Sequence, residues 1–221
     1  MYLLPLMLLL ATAQMSAEPV QTVCIDPGHP SEVGSGTEGK HVTEIHIAWV
    51  IAKKLEKDLV ARGIRVVLTK QSENEFVKNI RRAEIANECH AALLVRIHCD
   101  SSSGTGFATY YPDRQGEAHG LRGPDLDLLK KLAPIAQRFH ATLATKLAGF
   151  LKDNGLKSDT QTAVGAKQRA LTASIFSKVP VVLVETCVLT NPHDEALVST
   201  PEAQQRIADA LADAVMTAIK P

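Results

Sequence analysis

Two imidazoles and two carboxylates stand where a folded chain can turn them toward one another. His29 follows the apolar run Thr22–Asp26 by three positions, in Asp26-Pro27-Gly28-His29. His98 ends the run Ala92–His98 (ALLVRIH), and Glu185 ends Val181–Glu185 (VVLVE). Glu44 falls in the first turn of an expected helix, after the loop Pro27–Lys40 with its four glycines. Singly, each has an ordinary explanation. A loop histidine often serves a turn, and a carboxylate in a first helical turn gains from the helix dipole. Packing does not explain three such groups leaving one sheet edge with a fourth at the start of the covering helix. Two imidazoles and one carboxylate suit a catalytic zinc ion, which keeps its fourth position for water. A second, uncoordinated carboxylate would take the proton from that water. One carboxylate cannot fill both roles. The glycine-rich loop can fold Glu44 back beside His29, which favours it as ligand. Glu185 sits on a rigid strand, which favours it as base. Spacing alone leaves the reverse division open.

These groups need a frame that alternates strand and helix. Strands are expected at Thr22–Asp26, Ile64–Thr69, Ala92–His98, Phe107–Tyr111 and Val181–Glu185, as short apolar runs bounded by turn residues. Helices are expected from the N-cap Thr43 to Arg62 with Gly63 just beyond, at Asn79–Cys89, over roughly Asp125–Asn154 with a kink at Pro134, and at Pro201–Ile219. Ile45, Ala48, Ala52, Leu55 and Leu59 recur at helical spacing in the first of these. Continuous apolar strands between helices indicate a single α/β domain, its mostly parallel sheet covered by helices on both faces. Ligands then bind beyond the carboxyl ends of the strands. That edge carries His29, His98 and Glu185.

The same residues carry a resemblance. The features are DPGH near the start of the mature chain, a glutamate opening the next helix and Arg-x-x-x-Ala-Asn from Arg82 to Asn87. An Ile-His at a strand end follows, then Pro-x-x-Leu-Val-Glu with Thr-Asn-Pro after it. In this order they resemble the zinc-dependent N-acetylmuramoyl-L-alanine amidases, over about residues 22–219. The resemblance implies an α/β catalytic domain over residues 20–221. It implies one zinc ion held by His29, Glu44 and His98, with Glu185 as the catalytic glutamate. It also implies peptidoglycan as the substrate, cut between N-acetylmuramic acid and L-alanine. Some positions depart from the family pattern. Pro30 stands where a second glycine is usual, Arg96-Ile97-His98-Cys99-Asp100 replaces Ser-Ile-His-Ala-Asn, and Cys187-Val188 replaces Gly-Phe. None is a ligand position. Arg96 is an added charge on an expected core strand. Pairing with Asp100 or Glu185, contact with an anionic peptide and partial exposure at the surface are all open to it.

Composition narrows the function classes. The chain has 221 residues, 45% of them hydrophobic, with 24 basic and 24 acidic side chains. Zero net charge argues against nucleic-acid binding and against an electrostatic hold on an anionic membrane. The opening MYLLPLMLLLATA is apolar, too short to span comfortably, and ends small-x-small at Ala11-Thr12-Ala13. It reads as a signal peptide within residues 1–17, cleaved after Ala13 or Ala17. A periplasmic or extracellular protein with no stable membrane association is therefore expected. Cys24, Cys89, Cys99 and Cys187 form no CxxC pair. An oxidising compartment permits disulfides without specifying the pairing, and for Cys24, Cys99 and Cys187 the expectation is small buried hydrophobes. His41 and His46 flank Glu44, and His46 is expected to face away from it; His90, His119, His140 and His193 fall outside the pattern and are expected at the surface. Arg82 is expected in a structural pair and Asn191 in a turn. Residues 112–124 are expected to form a surface connector. The rival readings are another secreted zinc peptidase or amidase, which lacks its His-x-x-Glu or HExxH spacing here, and a non-catalytic wall-binding domain, against which the intact Glu185 speaks.

Overall fold

The protein is described by a computed structural model covering residues 20–220. The expected signal peptide, with its cleavage points Ala13 and Ala17, lies outside the described residues. Eight strands and seven helices follow in chain order: β1 (Thr22–Pro27), α1 (Glu44–Ala61), β2 (Arg65–Leu68), α2 (Asn79–Glu88), β3 (Leu93–Asp100), β4 (Phe107–Tyr111), β5 (Gly116–Ala118), β6 (Leu121–Gly123), α3 (Leu126–Leu147), β7 (Asp153–Ser158), α4 (Ala163–Gln168), α5 (Thr172–Phe176), β8 (Val181–Val188), α6 (Pro192–Val198) and α7 (Pro201–Ala218). No described helix is long and apolar enough to cross a membrane.

Six strands form one sheet in the order β2-β1-β3-β8-β4-β7. The first four run parallel; β4 is antiparallel to β8, and β7 is parallel to β4. The chain moves from β1 outward to β2 through α1, then back past β1 to β3 through α2. Right-handed crossovers in opposite directions put their helices on opposite faces of the sheet. This reversal opens a crevice at the carboxyl ends of β1 and β3. α1, α7 and α3 pack side by side as one layer, while α2 packs on β1, β3 and α5.

The local signals act as their chemistry requires. The Thr43 hydroxyl caps α1 by accepting from the His46 N–H, and Gly63, at φ 81°, adopts the left-handed turn that ends it. Ile47, Ile51, Leu55 and Leu59 of α1 are fully buried. Each such side chain contributes roughly 1.5–3 kcal/mol relative to exposure.

Three expectations are corrected. The helix expected over Asp125–Asn154 stops at Leu147, where Ala148 leaves helical geometry and Gly149 turns at φ 70°. The following Asp153–Ser158 is strand β7, whose polar sequence DNGLKS gave no period-two signal. Residues 112–124 are more than a connector, because β5 and β6 pair there as a small antiparallel hairpin. Arg96 is neither half exposed nor paired with Asp100 or Glu185; it is 3% exposed and bonds Asp26.

Candidate active site

Strand register decides which side chains meet. Asp26 lies beside Arg96 across β1 and β3, and His98 lies beside Glu185 across β3 and β8. Neighbours in parallel register point to the same side of the sheet, and so do residues two apart on one strand. Asp26, Arg96, His98 and Glu185 therefore share one face. Between His98 and Asp100 the β3–β8 register shifts, an irregularity directly beside the site.

The glycine-rich loop completes the group. His29 follows β1 at φ 52°, and its Nδ1 lies 2.9 Å from the Gly34 carbonyl, the acceptor that fixes the ring with Nε2 turned toward Glu44. His29 Nε2 lies 3.6 Å from Glu44 Oε1. His98 Nδ1 lies 2.9 Å from the same oxygen. One ligand atom from each of His29, Glu44 and His98 falls within 4.8 Å of the other two. The three residues thus meet from β1, α1 and β3.

Glu44 is held firmly. Its Oε1 accepts the Cys99 N–H at 3.0 Å and its Oε2 accepts the Thr37 N–H at 2.7 Å. Two glycines let the ring system pack this closely. A Cβ on Gly28 would lie 2.6 Å from the His98 ring, and one on Gly36 would lie 2.6 Å from Glu44 Oε2 and 2.8 Å from the His29 ring.

The electrostatics match a cation site. Burial would raise the Glu44 carboxyl, but the His98 hydrogen bond and the two nearby imidazoles overcome it and hold it at about 2. Burial outweighs the Glu44 contact for His98 and lowers it to about 4, so the ring is neutral near pH 7. A neutral imidazole and an ionised carboxylate are the forms that bind metal. Glu185 is pushed well above the ordinary carboxylate range, by burial first and then by the charges of Glu44 and Asp100. Among the described residues, His98 Nε2 and Glu185 Oε2 are buried without a hydrogen-bond partner. The donor set suits zinc, and the crowding of acceptors and lone pairs calls for a cation among them.

Glu185 borders three recesses. One, of about 190 Å³, runs past Asp100, Tyr110 and Lys157. A second lies over the loop at Gly34–Thr37. A third, of about 260 Å³, is walled by Asn79, Arg96, Val164, Leu171 and Leu183. The three recesses thus meet at Glu185.

A family model described as N-acetylmuramoyl-L-alanine amidase matches residues 23–217. This chain belongs to that amidase family. It is 27% identical over 220 residues to N-acetylmuramoyl-L-alanine amidase AmiA of Escherichia coli, covering 89% of this chain and 75% of the relative. Against LytC of Bacillus subtilis the identity is 29% over 200 residues, covering 89% of this chain and 35% of that longer amidase. The fold matches the N-acetylmuramoyl-L-alanine amidase of Clostridium difficile 630 with a TM-score of 0.70 at 25% identity, over 89% of this chain and 95% of that one. The catalytic domain of CwlV from Bacillus (Paenibacillus) polymyxa matches in fold with a TM-score of 0.69 at 24% identity, over 89% of this chain and 97% of that domain.

Other residues of this amidase-family chain have structural places. His46 turns from the centre to meet Glu73, at 3.2 Å. Asn191 caps α6 by accepting from the His193 and Asp194 N–H groups. His140 is half-buried against Phe107 and Thr109, more enclosed than the surface position expected for it. All four cysteines are free thiols; Cys24, Cys99 and Cys187 are buried. The sequence reading missed the backbone donors of Thr37 and Cys99, which carry no side-chain signal. It also missed the role of Asp26, whose carboxylate accepts from Arg82, Arg96 and Thr69 and anchors the strand end from which His29 departs.

Proposed function

We propose that this protein hydrolyses the amide bond joining N-acetylmuramic acid to L-alanine in peptidoglycan, using one zinc ion. Family membership supports the reaction. The observation that carries the site assignment is the convergence of His29, Glu44 and His98 to within 4.8 Å, with Glu185 on the strand beside His98. His29, Glu44 and His98 would hold the metal. A zinc ion bound there supplies Lewis acidity, polarising the scissile carbonyl and making water a stronger acid.

The chain's own groups do the remaining work. Glu185 accepts a proton from water in the cleft and passes it to the leaving amine of L-alanine. Burial and the charges of Glu44 and Asp100 favour its protonated form, and a cation held nearby would favour the ionised form that takes the proton. Thr37 and Cys99 keep Glu44 from swinging toward the substrate. The three recesses give the glycan and the peptide separate exits from the reacting bond. Export fits the substrate, and the apolar segment within residues 1–17 supports it as a signal peptide.

The test pairs metal analysis with product analysis. The purified protein should carry one zinc per chain. Incubated with peptidoglycan, it should release peptides with a free L-alanine amino terminus, identified by mass spectrometry. Release of peptides cut elsewhere, or of none, would overturn the reading.

A further inference from the structure

We infer that Arg96 is a specificity residue which binds a free carboxylate of the stem peptide close to the scissile bond. The inference rests on the amidase reading above. Arg96 forms part of the wall of the recess of about 260 Å³ that also holds His98 and Glu185. Its Nε donates to Asp26 Oδ2 at 2.8 Å and its Nη2 donates to Asn79 Oδ1 at 2.7 Å. These two bonds fix the plane of the guanidinium. Among the described residues Nη1 has no hydrogen-bond partner, and it is not one of the sealed, unpartnered atoms. The recess is where its remaining donors can be met.

The charges beneath this wall are already partly used. Asp26 is fully buried and serves two guanidiniums, those of Arg82 and Arg96. Lys70, also fully buried, donates to the carbonyls of His29 and Glu73 and not to a carboxylate. Two further acids stand nearby: Glu32 accepts from the Asn79 N–H, and Asp159, buried with its Oδ1 unpartnered, accepts from the Leu171 N–H. Arg96 forms no other ion pair among the described residues. A pre-oriented guanidinium is the group that recognises a carboxylate most strongly.

The remaining wall is apolar, from Val164, Leu171 and Leu183. That combination suits a short peptide carrying one acid better than a sugar ring, which needs many hydrogen-bonding partners. In peptidoglycan the residue after L-alanine is D-glutamate or its amide, so a carboxylate there lies one residue from the bond cut. Arg96 would thus distinguish the acid from the amide form.

The experiment compares N-acetylmuramoyl-L-alanyl-γ-D-glutamyl-L-lysine with its D-isoglutaminyl counterpart; the γ-carboxyl is amide-linked in both, so near the scissile bond they differ only as α-acid and α-amide. The zinc-loaded protein should cleave the acid with kcat/KM about tenfold or more above the amide, as expected for loss of one charge-assisted bond. The difference should lie mainly in KM. Arg96→Met should bring the ratio close to one, and Arg96→Lys should restore part of it. Zinc content and thermal unfolding establish that each variant is folded. Equal cleavage of acid and amide by the unaltered protein would overturn the inference and leave the amidase reading standing. An undiminished ratio in a folded Arg96→Met protein would overturn it too. Cleavage of neither compound counts against the amidase reading; equilibrium binding of the same two compounds to the unaltered and Arg96→Met proteins then decides the role of Arg96. Tighter binding of the acid that is lost in Arg96→Met supports it, and equal binding removes it.

Discussion

His98 Nδ1 sits 2.9 Å from Glu44 Oε1, bringing together residues 54 apart in the chain at the junction of β3 and α1. The same carboxylate accepts N–H groups from Thr37 and Cys99. A carboxylate fixed from several directions would need little reordering to bind metal, so its charge should count for more than its shape. Glu44→Gln preserves the shape and removes the charge. We expect zinc affinity to fall on the order of 100-fold or more, since even outer-shell changes cost 10–100-fold. Competition against a chelator of known affinity measures this. Unchanged affinity would exclude Glu44 as a ligand.

Glu185→Gln should separate chemistry from metal binding. The Glu185 carboxyl borders the recesses but is not in the three-residue group. Zinc content should stay at one per chain while kcat falls by roughly 10²–10⁴, the usual contribution of a positioned general base. Loss of zinc along with activity would recast Glu185 as a ligand.

Gly36 is a second lever on the same centre. Its φ of 81° is left-handed, and an added Cβ would press within 2.6 Å of Glu44 Oε2 and 2.8 Å of the His29 ring. Gly36→Ala therefore meets a conformational cost of about 1–2 kcal/mol and a steric one at Glu44 and His29 together. We expect weakened zinc binding and lower activity at limiting zinc, partly recovered by excess metal. Gly120, at φ 74° with nothing within 4 Å of an added Cβ, serves as the control. If Gly36→Ala binds zinc no more weakly than Gly120→Ala, the loop does not cradle the ligands.

The parts of this molecule that were legible in the sequence are those carried by local rules. The boundaries of α1 follow from Thr43 and Gly63, and β4 reads directly from Phe107–Tyr111. His29, Glu44, His98 and Glu185 could be named because strand ends and a helix start are sequence features, and the sheet order then brings them to one edge. Strand direction is different. The antiparallel placing of β4 depends on pairing with β8, which lies about 75 residues later in the chain and leaves no local trace. Strand β7 is mostly polar, and pairing with β4 alone makes it a strand. Arg96 was read as an anomaly of a core strand because its partners, Asp26 on β1 and Asn79 on α2, are joined to it only by register and crossover.

Asp26 gives the sharpest prediction on stability. Burial would raise its carboxyl, yet the charges of Arg82 and Arg96, with the Thr69 hydroxyl, hold it well below the ordinary carboxylate range. A group whose folded value is depressed adds stability above its unfolded value, near 3.9, and loses it as pH falls toward the folded value. The metal-free protein should therefore lose stability steeply below about pH 4 as this carboxylate is protonated in the unfolded state. Asp26→Asn removes the anion and leaves two buried guanidiniums unpaired, which should cost about 3–5 kcal/mol at pH 7. The difference between the unaltered and variant proteins should then shrink as the pH is lowered toward 2, because the missing charge matters less there. Urea unfolding of both metal-free proteins across that range measures it. A cost below about 1 kcal/mol at pH 7, within the range of a surface ion pair, would show that Asp26 does not anchor the strand end beneath the site.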